Sequence, residues 1–395
     1  MPVIGDFIKI KHGYAFKGDY ISTEDNNIVL VTPGNFAIGG GFKEQKCKFY
    51  IGKYPDDYVL KEDDLIVTMT DLSKSVDTLG YGALVPSSNK RVYLHNQRIG
   101  LVQFISDKID KHYLYWYMRT SRYQRSIVST SSGSTVHHTS PDRICEVEIE
   151  VPEMKIQKKI AGFLDDIEEK INVNENINRN LSEQARSVYM ETFGKFEKTK
   201  VLEDYPVKIY SGGTPSTSKK EYWEGGDIHW LSSGETANEF VTTTDKTITQ
   251  LGVDNSSTKW ASKYDVVTAS AGQGHTRGQT TMILLNTCIN QSVIVTHAAK
   301  EYMPFIFFNL SGRYEELRVL SDGTSTRGSL TTKIMAKLKM PDVTENTIIK
   351  FSDYAWSAIS QIEVNLKENE KLACLRDSLL LKLMTGEIDV SDLNI

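Results

Sequence analysis

Residues 154–193 form the stretch that most restricts what this chain can become: MKIQKKIAGFLDDIEEKINVNENINRNLSEQARSVYMETF. Ile160, Ile167, Asn174, Leu181 and Val188 recur every seventh residue, and Leu164, Ile171, Asn178 and Ala185 recur between them. No proline interrupts the run, and glycine occurs only at Gly162 and, just beyond it, Gly194. A 3.5-residue repeat of this kind predicts one long helix with a narrow apolar seam. About 40 residues at 1.5 Å each give a length of roughly 60 Å, more than a compact domain needs. An ordinary amphipathic helix packed on its own domain shows the same period. Two features favour a partner helix instead. Asn174 and Asn178 interrupt the seam at its middle, where buried amides fix register at a cost in stability, and a similar segment recurs near the C-terminus.

That second segment spans 343–384, with its seam at Ile348, Ala355, Ile359, Ile362, Leu366, Ala373 and Leu380. Leu375, Leu379 and Leu383 mark a drift in phase, and Gly386 follows as the usual residue just past a helix end. The recurrence extends to the whole chain. IKIKHG at 8–13 lies against VKIYSG at 207–212, DDLIVT at 63–68 against YDVVT at 264–268, and HNQ at 95–97 against INQ at 289–291. SRYQRSIVSTSSGST at 121–135 then matches GRYEELRVLSDGTST at 312–326, and EVPEMKIQKKI at 150–160 matches KMPDVTENTII at 339–349. Five matches in the same order are the signature of a duplicated module. Each module reads as strand-rich sequence, a helix (112–126 and 304–320), a small polar loop, a strand-like segment closing on proline, and then a long helix. The fold class is therefore α+β. Two repeated strand-rich modules, 1–152 and 200–342, alternate with long helices at 153–199 and 343–395, which form an antiparallel intramolecular coiled coil with pseudo-twofold symmetry.

Composition adds limits. At 395 residues the chain holds two to three domains. It has no apolar run long enough to span a membrane. The opening MPVIGDFIKIKHG does not read as a signal peptide, and Cys47, Cys145, Cys288 and Cys374 are scattered singly without zinc or disulfide spacing. A reduced, cytoplasmic protein is the reading. The net charge of −5 argues against nucleic acid, but its distribution does not. Lys111, Arg119, Arg122, Arg125 and Arg143 face only Asp142 across 111–145, and six basic side chains outnumber three acidic ones across 302–340. Two basic islands suit two phosphate-contacting faces, although solvated surface has the same look.

Catalytic signatures are missing. There is no GxxxxGKS/T phosphate loop, GxSxG elbow or HExxH zinc pair, and Gly272-Gln273-Gly274 lacks the third glycine of a dinucleotide fingerprint. Neither an Asn-Pro-Pro-aromatic tetrapeptide nor a nuclease carboxylate–x–Lys pair is present. No metal site is indicated. What remains is binding equipment. Arg122 and Arg125 precede a loop containing Ser132, Ser134, Thr135, His137 and His138; Arg313 and Arg318 precede its counterpart with Thr324, Ser325, Thr326 and Arg327. Arginine bridges phosphates or reads guanine, and hydroxyls hold backbone or base edges. A solvated turn explains the same composition. Further candidates are Lys17 in GYAFK, Thr214 and Ser216 in GGTPST, and Gln273, His275 and Arg277 in SAGQGHTRG, whose partner region carries Lys74.

These segments together resemble the specificity subunit of a type I DNA restriction–modification system. HGYAFKGDYI and SGGTPSTSKKEYWEGGDIHWLSSGE are similar to two common openings of that family's target-recognition domains. VPEMKIQKKIAGFLDDIEEKINVN resembles its proline–acidic–x–x–x–Gln helix start, and LRDSLLLKLMTGEID resembles its C-terminal ending. The second helix departs from the pattern, with Asn346 where the first has Gln157.

The resemblance implies a subunit without catalysis of its own. Each target-recognition domain would bind one half of a split, asymmetric double-stranded DNA sequence. The helices would act as a ruler, so that added turns lengthen the gap between half-sites. Two modification (methyltransferase) subunits carrying S-adenosylmethionine would flip and methylate adenine, and restriction subunits using ATP and Mg would join them. This chain would hold no cofactor. The competing reading is a scaffold whose two modules bind protein or glycan.

Overall fold

The computed structural model describes residues 1–390 except 46, 72, 74, 134, 135, 273 and 323–327. The chain divides into two compact units, Met1–Lys170 with Leu372–Ile395, and Ile171–Lys371. The units therefore do not stop where the sequence places its domain boundaries at 152, 199 and 342. Each includes a length of both long helices, because a seam of apolar residues buries its surface against whatever lies beside it.

In the first unit a four-stranded antiparallel sheet runs in the order Ile8–His12, Ile99–Phe104, Leu65–Thr68, Gly82–Leu84. A second sheet of five short strands contains the parallel pair Ile28–Val31 and Val92–His95. The strand Leu65–Thr68 shows why both faces are needed. Leu65 and Val67 enter a core shared with the helices, while Ile66, pointing the other way, enters the core of the second sheet. In the second unit Val207–Ser211, Val293–Ala298, Val266–Ala269 and Thr280–Ile283 repeat that first sheet in order, with Phe240–Val241 added at the edge. A further sheet repeats the parallel pair, in Ile228–Leu231 with Thr287–Ile289. Val266 and Val267 divide between two cores as Leu65 and Ile66 do.

The single helix expected over 112–126 is two, Lys111–Tyr117 and Ser121–Ser129. Thr120 divides them, its hydroxyl accepting from the backbone of Tyr123 as an N-cap. The second module divides in the same place, into Met303–Ser311 and Tyr314–Asp322. The strand-like closing segments also differ from expectation. Residues 147–152 form only an isolated bridge between Val3 and Glu148, and 334–341 opens inside the helix Thr332–Ala336, which Thr331 caps, and becomes a strand only at Lys339–Met340, paired with Lys200–Val201.

The long helices are Met154–Phe193 and Glu345–Met384. Within the first unit, Ile160 and Leu164 share one core with Leu380, Leu383 and Met384. Within the second, Asn174 faces Glu368 and Asn369, and Asn178 faces Asn365. Numbers rise on one helix as they fall on the other, so the pairing is antiparallel. Ile160, Leu164, Ile167, Ile171, Asn174, Ile359, Ile362 and Leu380 are buried; Asn178, Leu366 and Ala373 are half-buried. Beyond Asn178 the seam moves by one residue. Leu181 and Val188 are only half-buried, and their neighbours Ser182 and Tyr189 are buried in their stead, together with Phe193, while Ala185 stays buried as the repeat predicts. An α-helix of 3.6 residues per turn drifts away from a strict 3.5 repeat, and here the drift turns the helix onto the aromatic side chains Phe305 and Phe351.

Gln157 accounts for the start of the first long helix. It is fully buried, accepts from the backbone of Asp110 at 2.8 Å, and donates to the carbonyls of Lys108 and Pro152 at 2.9 and 2.8 Å. Asn346 is exposed and does none of this. Its helix is tied down instead by Tyr302, whose hydroxyl donates to Glu345 at 2.8 Å.

Candidate nucleic-acid interface

In each unit the segments singled out by sequence converge on one end of one sheet, the one that holds Ile8–His12 in the first unit and Val207–Ser211 in the second. In the first unit the strand Ile8–His12 runs out at this end into residues 13–17, while Ile99–Phe104 enters from residues 95–98. The turn between is anchored on three sides. Tyr14 donates its N–H to the His95 carbonyl at 2.8 Å, Gln97 donates to Tyr14 at 2.9 Å, and Met69 donates to Arg98 at 2.9 Å. Gly13 is required there, because a Cβ would lie 2.1 Å from the Asn96 carbonyl oxygen. The imidazole of His95 is fully buried and bonded to the Ile99 carbonyl at 2.8 Å, and burial pushes it down to about 4, so it is neutral at physiological pH.

The loop after Thr68 continues this edge. Thr70–Asp71 pairs with His137–His138, and the Thr70 hydroxyl lies 3.1 Å from His138 Nδ1. Burial alone would raise the Asp71 carboxyl. Bonds from the Thr78 hydroxyl and the Ser73 and Thr78 amides outweigh it and hold that carboxyl below the usual aspartate range. Ser132 closes the other loop through paired backbone bonds with His138, at 3.0 and 2.9 Å. Gln124, on the helix Ser121–Ser129, donates to the Val76 carbonyl at 2.8 Å and so holds the strand-end loop from behind.

The second unit builds the same edge. Gly213 donates to the Ile289 carbonyl at 3.2 Å and Ser270 to the Ser292 carbonyl at 2.8 Å, and at Gly212 a Cβ would lie 2.1 Å from the Ile289 oxygen. Thr214 donates to Gln291 Oε1 at 2.5 Å, and Ser216 bonds Ser218 at 2.9 Å. Here arginines hold the strand-end loop. Arg277 reaches the Asp322 carboxylate and the Gly328 carbonyl, Arg318 reaches the Gly274 carbonyl, and the Tyr314 hydroxyl donates to the His275 carbonyl at 2.9 Å.

These positions sort the sequence candidates. Lys17, Ser132, His138, Ser216 and His275 are exposed in the loops of the edge, His137 and Thr214 are half-buried there, and Arg125 is exposed on the helix Ser121–Ser129. Arg277 and Arg318 serve as loop clamps. Arg122 is exposed but turned to Glu150, at 3.2 Å, in the closing segment. Arg313 is structural: it is buried, binds Glu316, and donates to Asn309 at 3.1 Å and the Lys339 carbonyl at 2.8 Å. Lys74, Ser134, Thr135, Gln273, Thr324, Ser325, Thr326 and Arg327 lie outside the described residues. Sequence reasoning passed over Gln97, Arg98 and Gln291, which the anchored turns display to solvent; the repeated Asn-Gln pair was the available signal. Among the described residues no group of three or more His, Cys, Asp or Glu side chains is placed to hold a metal ion, and no helix is long and apolar enough to cross a membrane.

The family pattern described as type I restriction modification DNA specificity domain matches residues 3–183 and 207–347, one stretch per module. The chain is 20% identical over 348 residues to the type I restriction enzyme HindI specificity subunit of Haemophilus influenzae, covering 68% of this chain and 75% of that one. It is 22% identical over 317 residues to the MjaIX specificity subunit of Methanocaldococcus jannaschii, covering 73% and 71%. The crystal structure of a type I restriction–modification S subunit from M. genitalium superposes with a TM-score of 0.58 at 15% identity, covering 98% and 96% of the two chains. That likeness is one of fold.

Proposed function

This chain belongs to the family of type I restriction–modification DNA specificity proteins, and from that premise we propose that it binds a bipartite, asymmetric DNA target with one half-site on each module. It has no catalytic role of its own. It directs adenine methyltransferase subunits, two in number, and restriction/translocase subunits to the target. S-adenosylmethionine, ATP and Mg are held by those partners, and the assembly works in the cytoplasm. Family membership sets aside the alternative of a protein- or glycan-binding scaffold.

The observation that carries this reading is the repeated edge. Two modules of different surface chemistry present the same anchored turn, flanked by the same loops, at the same end of the same sheet. Such a frame keeps its backbone constant while its side chains change, which is what reading two unlike half-sites requires. The test is genome-wide mapping of N6-methyladenine in cells with and without this chain and its partners. A two-part motif with a fixed gap, present only with the chain, is the expected result. An unchanged methylome from an otherwise active system overturns the proposal.

A further inference from the structure

The two modules differ almost everywhere along their edges, yet each keeps the same dipeptide at the hub. Asn96-Gln97 and Asn290-Gln291 occupy equivalent turns. In both, the asparagine Oδ1 accepts the amide two residues on, Arg98 at 3.0 Å and Ser292 at 2.8 Å, which folds the turn in one way. Both turns are fastened by backbone bonds to the glycine-bearing loop and to the end of the central strand, as described above. Both glutamine side chains are exposed. Gln97 has no side-chain partner among the described residues, while Gln291 accepts Thr214 at 2.5 Å and keeps its amide hydrogens. What surrounds them has diverged: Arg98 stands where Ser292 does, and Lys17 has no equivalent cation among Thr214 and Ser216.

Residues that read the unlike parts of two half-sites must differ between modules. A residue kept in place in both suits what the half-sites have in common. On the functional reading above, on which this rests, the common element is the A·T pair that receives the methyl group. A glutamine amide offers a donor and an acceptor side by side, which matches adenine N7 and N6 or, once adenine has swung out, the exposed edge of thymine. We infer that Gln97 and Gln291 contact the A·T pair of the modified adenine, one in each half-site, as base-contacting residues common to both modules.

The experiment uses the full chain reconstituted with its modification subunits and duplexes bearing its mapped target. Methyl transfer is read separately on each strand, and binding is compared for the target and for duplexes with either modified A·T pair replaced by G·C. Gln97→Ala is expected to lower methylation in one half-site by roughly 10- to 100-fold and Gln291→Ala in the other, each removing discrimination against G·C at that pair alone. Gln97→Glu, which loses the donor, behaves like Gln97→Ala, whereas the exposed strand residue Gln103, changed to alanine, leaves both half-sites intact. A duplex with the adenine made abasic separates the two contacts: binding that still depends on Gln97 places it on thymine, and binding that no longer does places it on adenine. The inference is overturned if both alanine variants keep full discrimination at the modified pairs, or lose it at positions that differ between half-sites. Failure of the unmodified complex to bind any two-part target would instead overturn the functional reading.

Discussion

Asn365 donates its side-chain amide to Asn178 Oδ1 at 2.7 Å across the paired helices, one turn from the contacts of Asn174 with Glu368 and Asn369. The exchange is one-sided, for the Asn178 amide nitrogen is buried without a hydrogen-bond partner among the described residues. Unmet donors in an interior cost about 1–3 kcal/mol, and amides in such seams hold register at the expense of stability. Replacing both residues by leucine should raise the unfolding temperature by several degrees. The same variant should lose its single register, which would appear in a methylome as motifs with more than one gap length. A lower melting point would show that the pair stabilises as well as specifies.

Glu168 on the first long helix is gripped by two arginines in the first unit, Arg376 at 2.6 Å and Arg119 at 3.2 Å. Arg119 itself is buried, lies 4.4 Å over the Trp116 ring, and donates to the Tyr115 hydroxyl at 2.6 Å. Burial would raise the Glu168 carboxyl, but the two guanidinium groups outweigh it and hold it below the usual glutamate value. A depressed carboxyl stabilises the fold above its unfolded value, about 4.3, and ceases to do so as the pH falls through its lower folded value. Glu168→Gln should therefore cost about 2–4 kcal/mol at pH 7, because it leaves the buried Arg119 without its charge partner and Arg376 with only the exposed Asp377. In urea unfolding the gap from the parent chain should narrow as the pH drops below 4.

The same unit holds a group of opposite sense. His112 Nδ1 lies 2.8 Å from Asp165 and Nε2 lies 3.4 Å from Asp63. The bond to Asp165 raises the imidazole above the ordinary histidine value, against burial and with both carboxylates assisting; Lys111 opposes it. A raised histidine stabilises the fold below its unfolded value, about 6.5, and this is lost as the pH climbs through the raised folded value. The melting advantage of the parent chain over His112→Gln should be larger at pH 6 than at pH 9. Equal differences at both would place the proton elsewhere.

Much of this architecture was legible before any coordinates. The long helices and their antiparallel pairing follow from a 3.5-residue period and an internal repeat, both of which are patterns in the residues themselves. The sheet order was not legible, because Ile28–Val31 pairs in parallel with Val92–His95 across some sixty residues of intervening chain and nothing in either strand names its partner. At the edge, Arg313 and Lys17 look alike in sequence. Only the packing of Asn309, Glu316 and the Lys339 carbonyl around the first shows that its charge is already satisfied. Glu168 and Arg376 were hidden for a related reason: charged residues outside the assigned seam positions read as solvent-facing until their partner from another element is seen.

Arg277 makes a separate test of how the reading loops are held. Its guanidinium spans from the strand-end loop to Asp322 at the end of the following helix and to Gly328 beyond it. Arg277→Ala should speed amide hydrogen exchange over 271–279 while leaving the strand Val266–Ala269 protected. The methylated motif should then lose stringency in one half-site only. Unchanged exchange would mean that Arg318 and Tyr314 suffice to hold the loop.

The sharpest contrast lies between cations that are free and one that is not. Lys17, Arg98 and Arg125 are exposed in the first unit and have no ion-pair or hydrogen-bond partner for their side-chain charge among the described residues, whereas Arg313 is enclosed in the second. Each phosphate contact releases counterions and contributes about 0.9 to the slope of log affinity against log salt. Replacing all three free cations by alanine in the assembled complex should flatten that slope by up to about 3 without altering the unfolding temperature. Arg313→Ala should do the reverse, lowering stability by about 2–4 kcal/mol because Glu316, Asn309 and a backbone carbonyl lose their donor, with the salt slope of whatever remains folded unchanged. If instead Arg313→Ala flattened the slope and the triple variant did not, the DNA-facing edge would have been assigned to the wrong surface of the modules.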